Sequence, residues 1–126
     1  MNNLESFYQG KKVFITGNTG FKGAWISMIL KSFGSKLKGY SLDIPTDPSH
    51  FILAGIDKKI TQDYGDVNDF EKLQKSINSF MPDIIIHMAA QSIVSEGYSN
   101  PVTTFSSNIM GTVNVLEVVR NFKHKC

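Results

Sequence analysis

The chain has 126 residues, of which 41% are hydrophobic and 19% charged, a composition that excludes a disordered chain and is typical of one folded domain. The net charge of +2 comes from lysines spread along the chain, and no apolar run approaches the ~20 residues that span a bilayer, so we expect neither nucleic-acid nor membrane binding. Residues 1–5 lack the pattern of an export signal and the single Cys126 excludes an internal disulfide, so we expect a cytoplasmic protein.

Two strands and a helix are predicted in the first third of the chain. Residues Lys12–Thr16 form an apolar run of strand type, and residues 37–42 form a second. Between them, large apolar residues at helical spacing predict a helix that ends at Gly34, because glycine readily takes the left-handed conformation of a helix end. These residues are Phe21, Trp25, Met28 and Ile29. Residues 44–49 contain two prolines and predict a loop, followed by a short helix over residues 51–55.

The rest of the chain continues this alternation. A third strand is predicted near residues 59–62, and a fourth over residues 84–88, whose unbroken apolar character suits a strand covered on both faces. Between them, Asn68 followed three places later by Glu71 predicts a helix start of the capping-box type. The buried face of that helix would carry Phe70, Leu73, Ile77 and Phe80. A last helix, over residues 101–121, would carry on one side Phe105, Ile109, Thr112, Leu116 and Val119.

Strands that alternate with helices in this way indicate βαβ units around a parallel sheet, so the predicted fold class is α/β. Where the first strand meets the first helix, the sequence reads Thr16-Gly17-Asn18-Thr19-Gly20-Phe21-Lys22-Gly23. In such a turn the first glycine permits tight geometry, Gly20 lets the backbone approach a pyrophosphate, and Gly23 lets the helix pack close to the sheet. The amides at the helix N-terminus attract negative charge. We predict dinucleotide binding here; a purely structural connection is the alternative.

The adenine ribose is usually bound by an acidic side chain at the end of the second strand, about twenty residues past the glycines. Asp43 lies at that distance, and Ser41 is the alternative because a strand end is defined only to within about two residues. Asp43 would otherwise only begin the proline loop. No arginine follows the strand to receive a 2′-phosphate, which favours NAD over NADP.

The spacing Thr-Gly-x-x-Gly-x-x-Gly resembles that of the extended short-chain dehydrogenase/reductase family of nucleotide-sugar epimerases and dehydratases. Residues 17–25, 39–42, 45–51, 87–91 and 108–114 further resemble its CDP-glucose 4,6-dehydratases. Lys22 is distinctive, because most relatives carry an aliphatic residue there. Two positions depart from the pattern, since Asn18 stands in place of a histidine and Ser92 in place of a proline. The resemblance implies an incomplete Rossmann-type doubly wound sheet of about four strands, in the order 3-2-1-4, with helices on both faces.

The resemblance also implies the positions of the cofactor, NAD. Asp66 would contact the adenine through its side chain, or only start a helix, and Val67 would contact it through its backbone. Asn108 matches a family position, or only bonds helix backbone. His87 is interpreted as a satisfied core histidine, with a catalytic role as the alternative. The predicted cofactor-binding residues are Gly17, Asn18, Thr19, Gly20, Phe21, Lys22, Gly23, Ser41, Asp43, Asp66, Val67, Ala89, Ala90, Gln91 and Asn108. The histidines and the cysteine lack ligand spacing, so no metal site is predicted.

The resemblance implies a lyase that converts CDP-glucose to CDP-4-keto-6-deoxyglucose for surface polysaccharides such as O-antigen, and that pairs as a homodimer. Its Tyr-x-x-x-Lys pair is represented only by Tyr8 and Lys12, a match interpreted as chance because Tyr8 precedes the first strand. We therefore expect residues 1–126 to be one partial N-terminal NAD-binding domain, without catalytic residues or a substrate domain, and inactive alone. The alternatives are another epimerase or reductase of this family and a nonenzymatic nucleotide-binding module.

Overall fold

Four parallel strands form the centre of this computed structural model, which describes residues 3–124 and residue 126. The strands are β1 (Lys12–Thr16), β2 (Lys36–Ser41), β3 (Thr61–Tyr64) and β4 (Ile84–His87). They lie in the order β3-β2-β1-β4, which confirms the predicted order. Met1, Asn2 and Lys125 lie outside the described residues, the first two within the segment where no export signal is predicted.

Helices connect and cover these strands. They are α1 (Asn3–Tyr8), α2 (Phe21–Ser32), α3 (His50–Leu53), α4 (Phe70–Phe80), α5 (Val94–Ser99), α6 (Pro101–Phe105) and α7 (Gly111–Arg120). A π-helical turn, Ser106–Met110, joins α6 to α7, so residues 101–120 form one continuous helix that nearly matches the predicted range. Such a turn inserts an extra residue into the helical register and is frequent at functional sites.

The sheet has a separate apolar core on each face. Val13 and Ile15 of β1 lie in the core beneath α2. Phe14 points to the opposite face, where it lies in one cluster with Leu73 of α4 and Val118 of α7. All three β1 side chains are fully buried, as expected for a strand covered on both sides. The predicted doubly wound α/β architecture is therefore confirmed.

The large apolar residues that predict α2 lie on its solvent side. The face of α2 that contacts the sheet carries instead the small residues Gly23, Ala24 and Ser27, followed by Leu30. A Cβ added at Gly23 would lie only 2.2 Å from the carbonyl oxygen of Gly17. The first turn of the helix lies too close to the backbone of Gly17 for a side chain at position 23, so the helical period is confirmed while the predicted apolar stripe faces outward.

One local prediction is wrong, and one predicted strand is present but begins later. The N-cap of α4 is Asp69, whose side chain accepts a hydrogen bond from the backbone N–H of Lys72 at 3.1 Å, and not Asn68. The side-chain oxygen of Asn68 is instead occupied by a hydrogen bond from Ser106 Oγ. The third strand begins at Thr61, two residues later than predicted, because residues 57–60 are folded as a turn.

Candidate functional site

The turn between β1 and α2, residues 17–20, is called the glycine turn. It lies against the loop that follows β4. Gly17 has a φ of +72°, in the left-handed region that favours glycine. A Cβ added there would lie 2.7 Å from the backbone nitrogen of Ala89, and the Gly17 N–H donates to the Tyr40 carbonyl at 2.8 Å. Gly17 and Gly23 are therefore both required by the packing of the chain itself.

Gly20 differs from these two glycines. Its backbone is extended, with φ −71° and ψ 169°, a conformation open to any residue. A Cβ added there would meet nothing nearer than the Gly17 carbonyl oxygen at 3.4 Å. The fold itself therefore does not require glycine at position 20. A ligand that approaches the backbone closely would require it, because a Cβ would stand in the way.

The first turn of α2 presents unused hydrogen-bond donors. Gly20 is the N-cap and has no side chain to accept a bond. Within residues 3–124, the amides of Phe21, Lys22 and Gly23 have no acceptor, as is general for a helix start without a capping side chain. Three N–H groups at the positive end of a helix dipole form a site suited to a phosphate. The exposed side chain of Lys22 adds a positive charge to the same turn.

Asn18 and Thr19, between the glycines, are held from inside the protein. Asn18 is fully buried; its Oδ1 accepts a hydrogen bond from Ser41 Oγ at 2.8 Å, and its Nδ2 donates to Gln62 Oε1 at 2.6 Å. Thr19 Oγ1 donates to the backbone oxygen of Asp43 at 2.6 Å. Because both side chains are engaged, any contact of these two residues with a ligand would come from the backbone.

Of the two candidates for the ribose, the geometry favours Asp43. Ser41 ends β2, is buried, and has its hydroxyl committed to Asn18. Asp43 is exposed, and in the part of the chain that the structure describes, its carboxylate forms neither a hydrogen bond nor an ion pair. The contact of Asp43 with a ribose stays a prediction.

Asp66 and Val67 follow β3 and take part in local bonds. Asp66 Oδ1 accepts the N–H of Asn68 at 2.8 Å, a local turn bond, whereas the helix start considered as its alternative role belongs to Asp69. The hydroxyl of Tyr40 donates to the Asp66 carbonyl at 3.0 Å, and burial is the largest cause that raises the pKa of Tyr40 to about 12. Val67 is buried and its carbonyl accepts a bond from Asn114 Nδ2, so a backbone contact with a ligand would come from its amide.

His87 ends β4 inside a hydrogen-bond network. Thr16 Oγ1 accepts the amides of Met88 and Ala89, each at 3.1 Å, so its own proton is directed to His87 Nδ1, 2.6 Å away. His87 Nε2 then carries the ring proton and donates to Thr112 Oγ1 at 3.2 Å. Burial lowers the pKa of His87, which agrees with a neutral ring. His87 is thus a half-buried histidine with both ring nitrogens satisfied, in agreement with the structural role interpreted from the sequence, and it orients the Thr16 hydroxyl that accepts the amides of Met88 and Ala89.

Asn108 lies in the π-helical turn and bonds both backbone groups of Gln91. Its Oδ1 accepts the Gln91 N–H at 2.7 Å and its Nδ2 donates to the Gln91 carbonyl at 3.0 Å. The Gln91 side chain donates to Thr104 Oγ1 and accepts the N–H of Ile93. Asn108 therefore bonds the backbone of the loop after β4, and not the helix backbone considered as its alternative. Ala90 in this loop is exposed.

Direct contacts join most of the predicted residues at the carboxyl edge of the sheet. The glycine turn touches Ala89, Ser41 bonds Asn18, and Asn108 bonds Gln91. Sequence analysis missed the polar residues that hold these groups in place: Thr16, Gln62, Thr104, Thr112 and Asn114. Their one signal in the sequence is a polar side chain within a strand or on the inner side of a helix.

Other candidate chemistry lies away from this edge. Tyr8 ends α1, whereas Lys12 begins β1 and its ammonium donates to the Phe80 carbonyl at 3.3 Å, so the two do not share a helix. Among the described residues, no three His, Cys, Asp or Glu side chains form a group able to hold a metal. In the same residues, no helix has the length and apolar character needed to cross a membrane.

Comparison with known proteins agrees with this geometry. The chain is 49% identical over 116 residues to the CDP-glucose 4,6-dehydratase of Salmonella typhimurium, covering 92% of this chain and 32% of that protein. It is 30% identical over 118 residues to the CDP-paratose 2-epimerase of Salmonella typhi, covering 91% and 34%. The UDP-glucose 4-epimerase of Thermus thermophilus in complex with NAD matches with a TM-score of 0.77 and 26% identity, covering 87% and 34%.

The chain thus spans about a third of the length of the curated relatives it matches. Residues 14–126 match the family described as GDP-mannose 4,6 dehydratase, which is nearly the whole chain. The glycine turn, strands β2, β3 and β4, and the loop after β4 all fall within the matched residues. The chain therefore belongs to the GDP-mannose 4,6 dehydratase family.

Proposed function

We propose that this chain binds NAD and is the cofactor-binding portion of a CDP-glucose 4,6-dehydratase. The identity of 49% to the Salmonella typhimurium dehydratase supports the substrate, and the match to a 4-epimerase in complex with NAD supports the cofactor. When bound, NAD supplies reversible hydride transfer for conversion of CDP-glucose to CDP-4-keto-6-deoxyglucose. The whole enzyme would act in the cytoplasm, in the synthesis of surface-polysaccharide sugars such as those of O-antigen.

The uncapped start of α2 is the observation that carries this proposal. The amides of Phe21, Lys22 and Gly23 need an acceptor, and Gly20 keeps the space in front of them free of a side chain. Water is the weaker alternative partner, because a pyrophosphate brings negative charge to the positive end of the helix. The turn would therefore hold the two phosphates of a dinucleotide.

The other predicted residues would take the rest of the cofactor along the sheet edge. Asp43 would accept hydrogen bonds from the adenine ribose, and Asp66 with the Val67 amide would contact the adenine. The short side chains of Ala89 and Ala90, with Gln91, would leave room for the nicotinamide half. Because the Asp43 carboxylate is negative and exposed, it would repel a 2′-phosphate, which favours NAD over NADP.

A homodimer is part of this proposal. The continuous helix over residues 101–120 turns an apolar stripe to the solvent, in which Val102 is 82% exposed and Phe105 and Leu116 are each 62% exposed. Exposed apolar residues grouped on one helix face mark an interaction surface. A second copy of the chain would cover this stripe with an identical one.

An epimerase of the same family is the second candidate, favoured by the identity of 30% to the CDP-paratose 2-epimerase. Both candidates share the NAD site and differ in the fate of the sugar. The enzyme that contains this segment would release water from CDP-glucose if it is a dehydratase. Inversion at a sugar carbon without loss of water would favour the epimerase.

Titration of the 126-residue chain with NAD tests the cofactor site. Trp25 lies two residues past Gly23 and is half-exposed, so its fluorescence should report binding. Gly20→Ala should weaken NAD binding by about tenfold or more, because the added methyl group stands between the backbone amides and the phosphates. Its melting temperature should change little, because the backbone conformation of residue 20 suits alanine.

Gly97→Ala is the matched control, since its added Cβ would make only an ordinary contact with Thr104 at 3.9 Å. It should bind NAD as the wild type does. A wild-type chain that is folded and ignores both NAD and NADP would contradict the proposed function.

A further inference from the structure

We propose that Gln62, a residue of β3, is a positioning residue for the glycine turn and acts through the buried side chain of Asn18. The inference rests on the proposed function, because it concerns how the same turn is held ready for the dinucleotide. Gln62 lies one strand beyond β2, and its side chain reaches the turn only through Asn18.

A continuous series of hydrogen bonds links the turn to two strands. The Thr19 N–H donates to Ser41 Oγ over a long 3.4 Å, Ser41 Oγ donates to Asn18 Oδ1, and Asn18 Nδ2 donates to Gln62 Oε1. Gln62 Nε2 then donates to the Asp63 carbonyl at 2.9 Å. Each group donates in the same direction, so the orientation of both side-chain amides is determined by their neighbours.

Gly39 makes this series possible at the centre of β2. A Cβ added there would lie 2.2 Å from Asn18 Nδ2 and 2.3 Å from Gln62 Oε1. The hydrogen bond between these two side chains therefore crosses β2 through the space that only a glycine leaves. Any side chain at position 39 would separate the glycine turn from β3 at this point of the strand.

Without Gln62, the Nδ2 group of Asn18 would be buried without a hydrogen-bond acceptor, which destabilises the present arrangement of the turn. The turn can relieve this cost by moving Asn18 toward water, and such a movement carries the neighbouring Gly20 with it. The N–H groups of Phe21, Lys22 and Gly23 would then no longer be directed at a common point in front of the helix. Gln62 thus stabilises the arrangement that a pyrophosphate requires before the ligand arrives.

The test compares NAD affinity and melting temperature in four variants of the 126-residue chain. Gln62→Met keeps the length of the side chain and removes the acceptor, so we expect the NAD dissociation constant to rise about tenfold. Gln62→Glu keeps an acceptor for Asn18 Nδ2 but places a carboxylate oxygen against the Asp63 carbonyl, so we expect an NAD dissociation constant between those of the wild type and Gln62→Met. Gly39→Ala should act like Gln62→Met, because its Cβ separates the two side chains.

Lys38→Met is the matched control. Lys38 is also buried on β2 and forms an ion pair with Asp63 of β3 at 2.8 Å, but it points to the α4 side of the sheet, where its ammonium bonds the Ser76 carbonyl and Ser79 Oγ. Its loss should lower the melting temperature and leave the NAD dissociation constant within about twofold, because it does not reach the glycine turn.

All affinities are measured at a temperature at which each variant is folded by circular dichroism. Equal NAD affinity in the wild type and in Gln62→Met overturns the inference, as does a loss of affinity in Lys38→Met as large as that in Gln62→Met. If Gln62→Met does not fold, Gly39→Ala decides by the same criterion, and if that fails too, Gln62→Asn, which shortens the side chain, takes its place. A wild-type chain that does not bind NAD contradicts the proposed function instead.

Discussion

Single polar side chains hold most of the backbone around the glycine turn. Thr16 accepts the amides of Met88 and Ala89, and its hydroxyl proton is directed to His87. A positive imidazole would place a second proton at Nδ1, opposite the hydroxyl proton of Thr16, which then has no acceptor. The network is therefore compatible only with neutral His87, and both lone pairs of Thr16 are used.

The stability of the protein should depend on pH through His87. Burial lowers its pKa in the folded state, below the ordinary value of 6.5 that applies when the chain is unfolded. As the pH falls below 6.5, the unfolded chain takes up a proton that the folded one refuses, so stability is lost from that pH down to the folded pKa. Above 6.5, this contribution is fully present.

The measurement is the melting temperature of the wild type and of His87→Gln between pH 8 and pH 5. The melting temperature of the wild type should fall toward that of His87→Gln as the pH falls, because only the wild type carries this imidazole. The other titrating groups are common to both proteins and shift both melting temperatures alike. Parallel curves over this range would show that His87 does not resist protonation.

The glycine positions were accessible from the sequence, because their spacing follows from backbone geometry alone. The inward turn of Asn18 was not, since its partners Ser41 and Gln62 are 23 and 44 residues away. The hydrogen bond from the Ser41 hydroxyl to Asn18, which favours Asp43 as the predicted ribose contact, likewise was not visible in the sequence. Contacts between distant residues leave no local pattern in a single sequence.

For the helices, the sequence predicted the helical period correctly but not which side of each helix faces the core. The apolar stripe that predicts α2 faces solvent, and so do Phe105, Ile109 and Leu116 in the last helix. Apart from Leu30, the buried sides of these helices carry small or β-branched residues, among them Gly23 and Val118. A periodic apolar stripe indicates a helix, but it does not tell the core of the chain from a surface that another element covers.

The exposed stripe of the last helix predicts self-association. Leu116→Glu places a charge in the proposed dimer contact. We therefore expect the dissociation constant of the dimer to rise by about tenfold or more relative to the wild type. Leu53→Glu is the control, because Leu53 of α3 is similarly exposed but lies outside the stripe. Light scattering over a range of concentrations measures both. A wild-type chain that remains a monomer at high concentration would rule out the dimer.

For the molecule as a whole, cofactor binding and turnover are expected to separate. The 126 residues carry the glycine turn and the edge of the sheet beside it, whereas the only Tyr-x-x-x-Lys match is divided between α1 and β1. The chain covers 32% of the Salmonella typhimurium dehydratase, so most of that protein has no counterpart in these residues.

Purified alone, the chain should therefore bind NAD and leave CDP-glucose unchanged, whereas the whole enzyme that contains it should release water from the sugar. Mass spectrometry of the nucleotide sugar after incubation with each protein measures this directly. Dehydrated product formed by the 126-residue chain would contradict the expectation.

The class of fold was predictable at this scale, because alternation of strands and helices restricts the topology to few arrangements.

The carboxamide of Asn108 serves as a substitute for a peptide group. It receives the N–H and supplies a donor to the carbonyl of one residue, Gln91, as a neighbouring strand would. The backbone at that point thus has its hydrogen bonds satisfied by a helix, and an extended segment of another molecule finds no free groups there to pair with. Aspartate, although nearly identical in shape, can only accept, and it would leave the carbonyl of Gln91 without its donor.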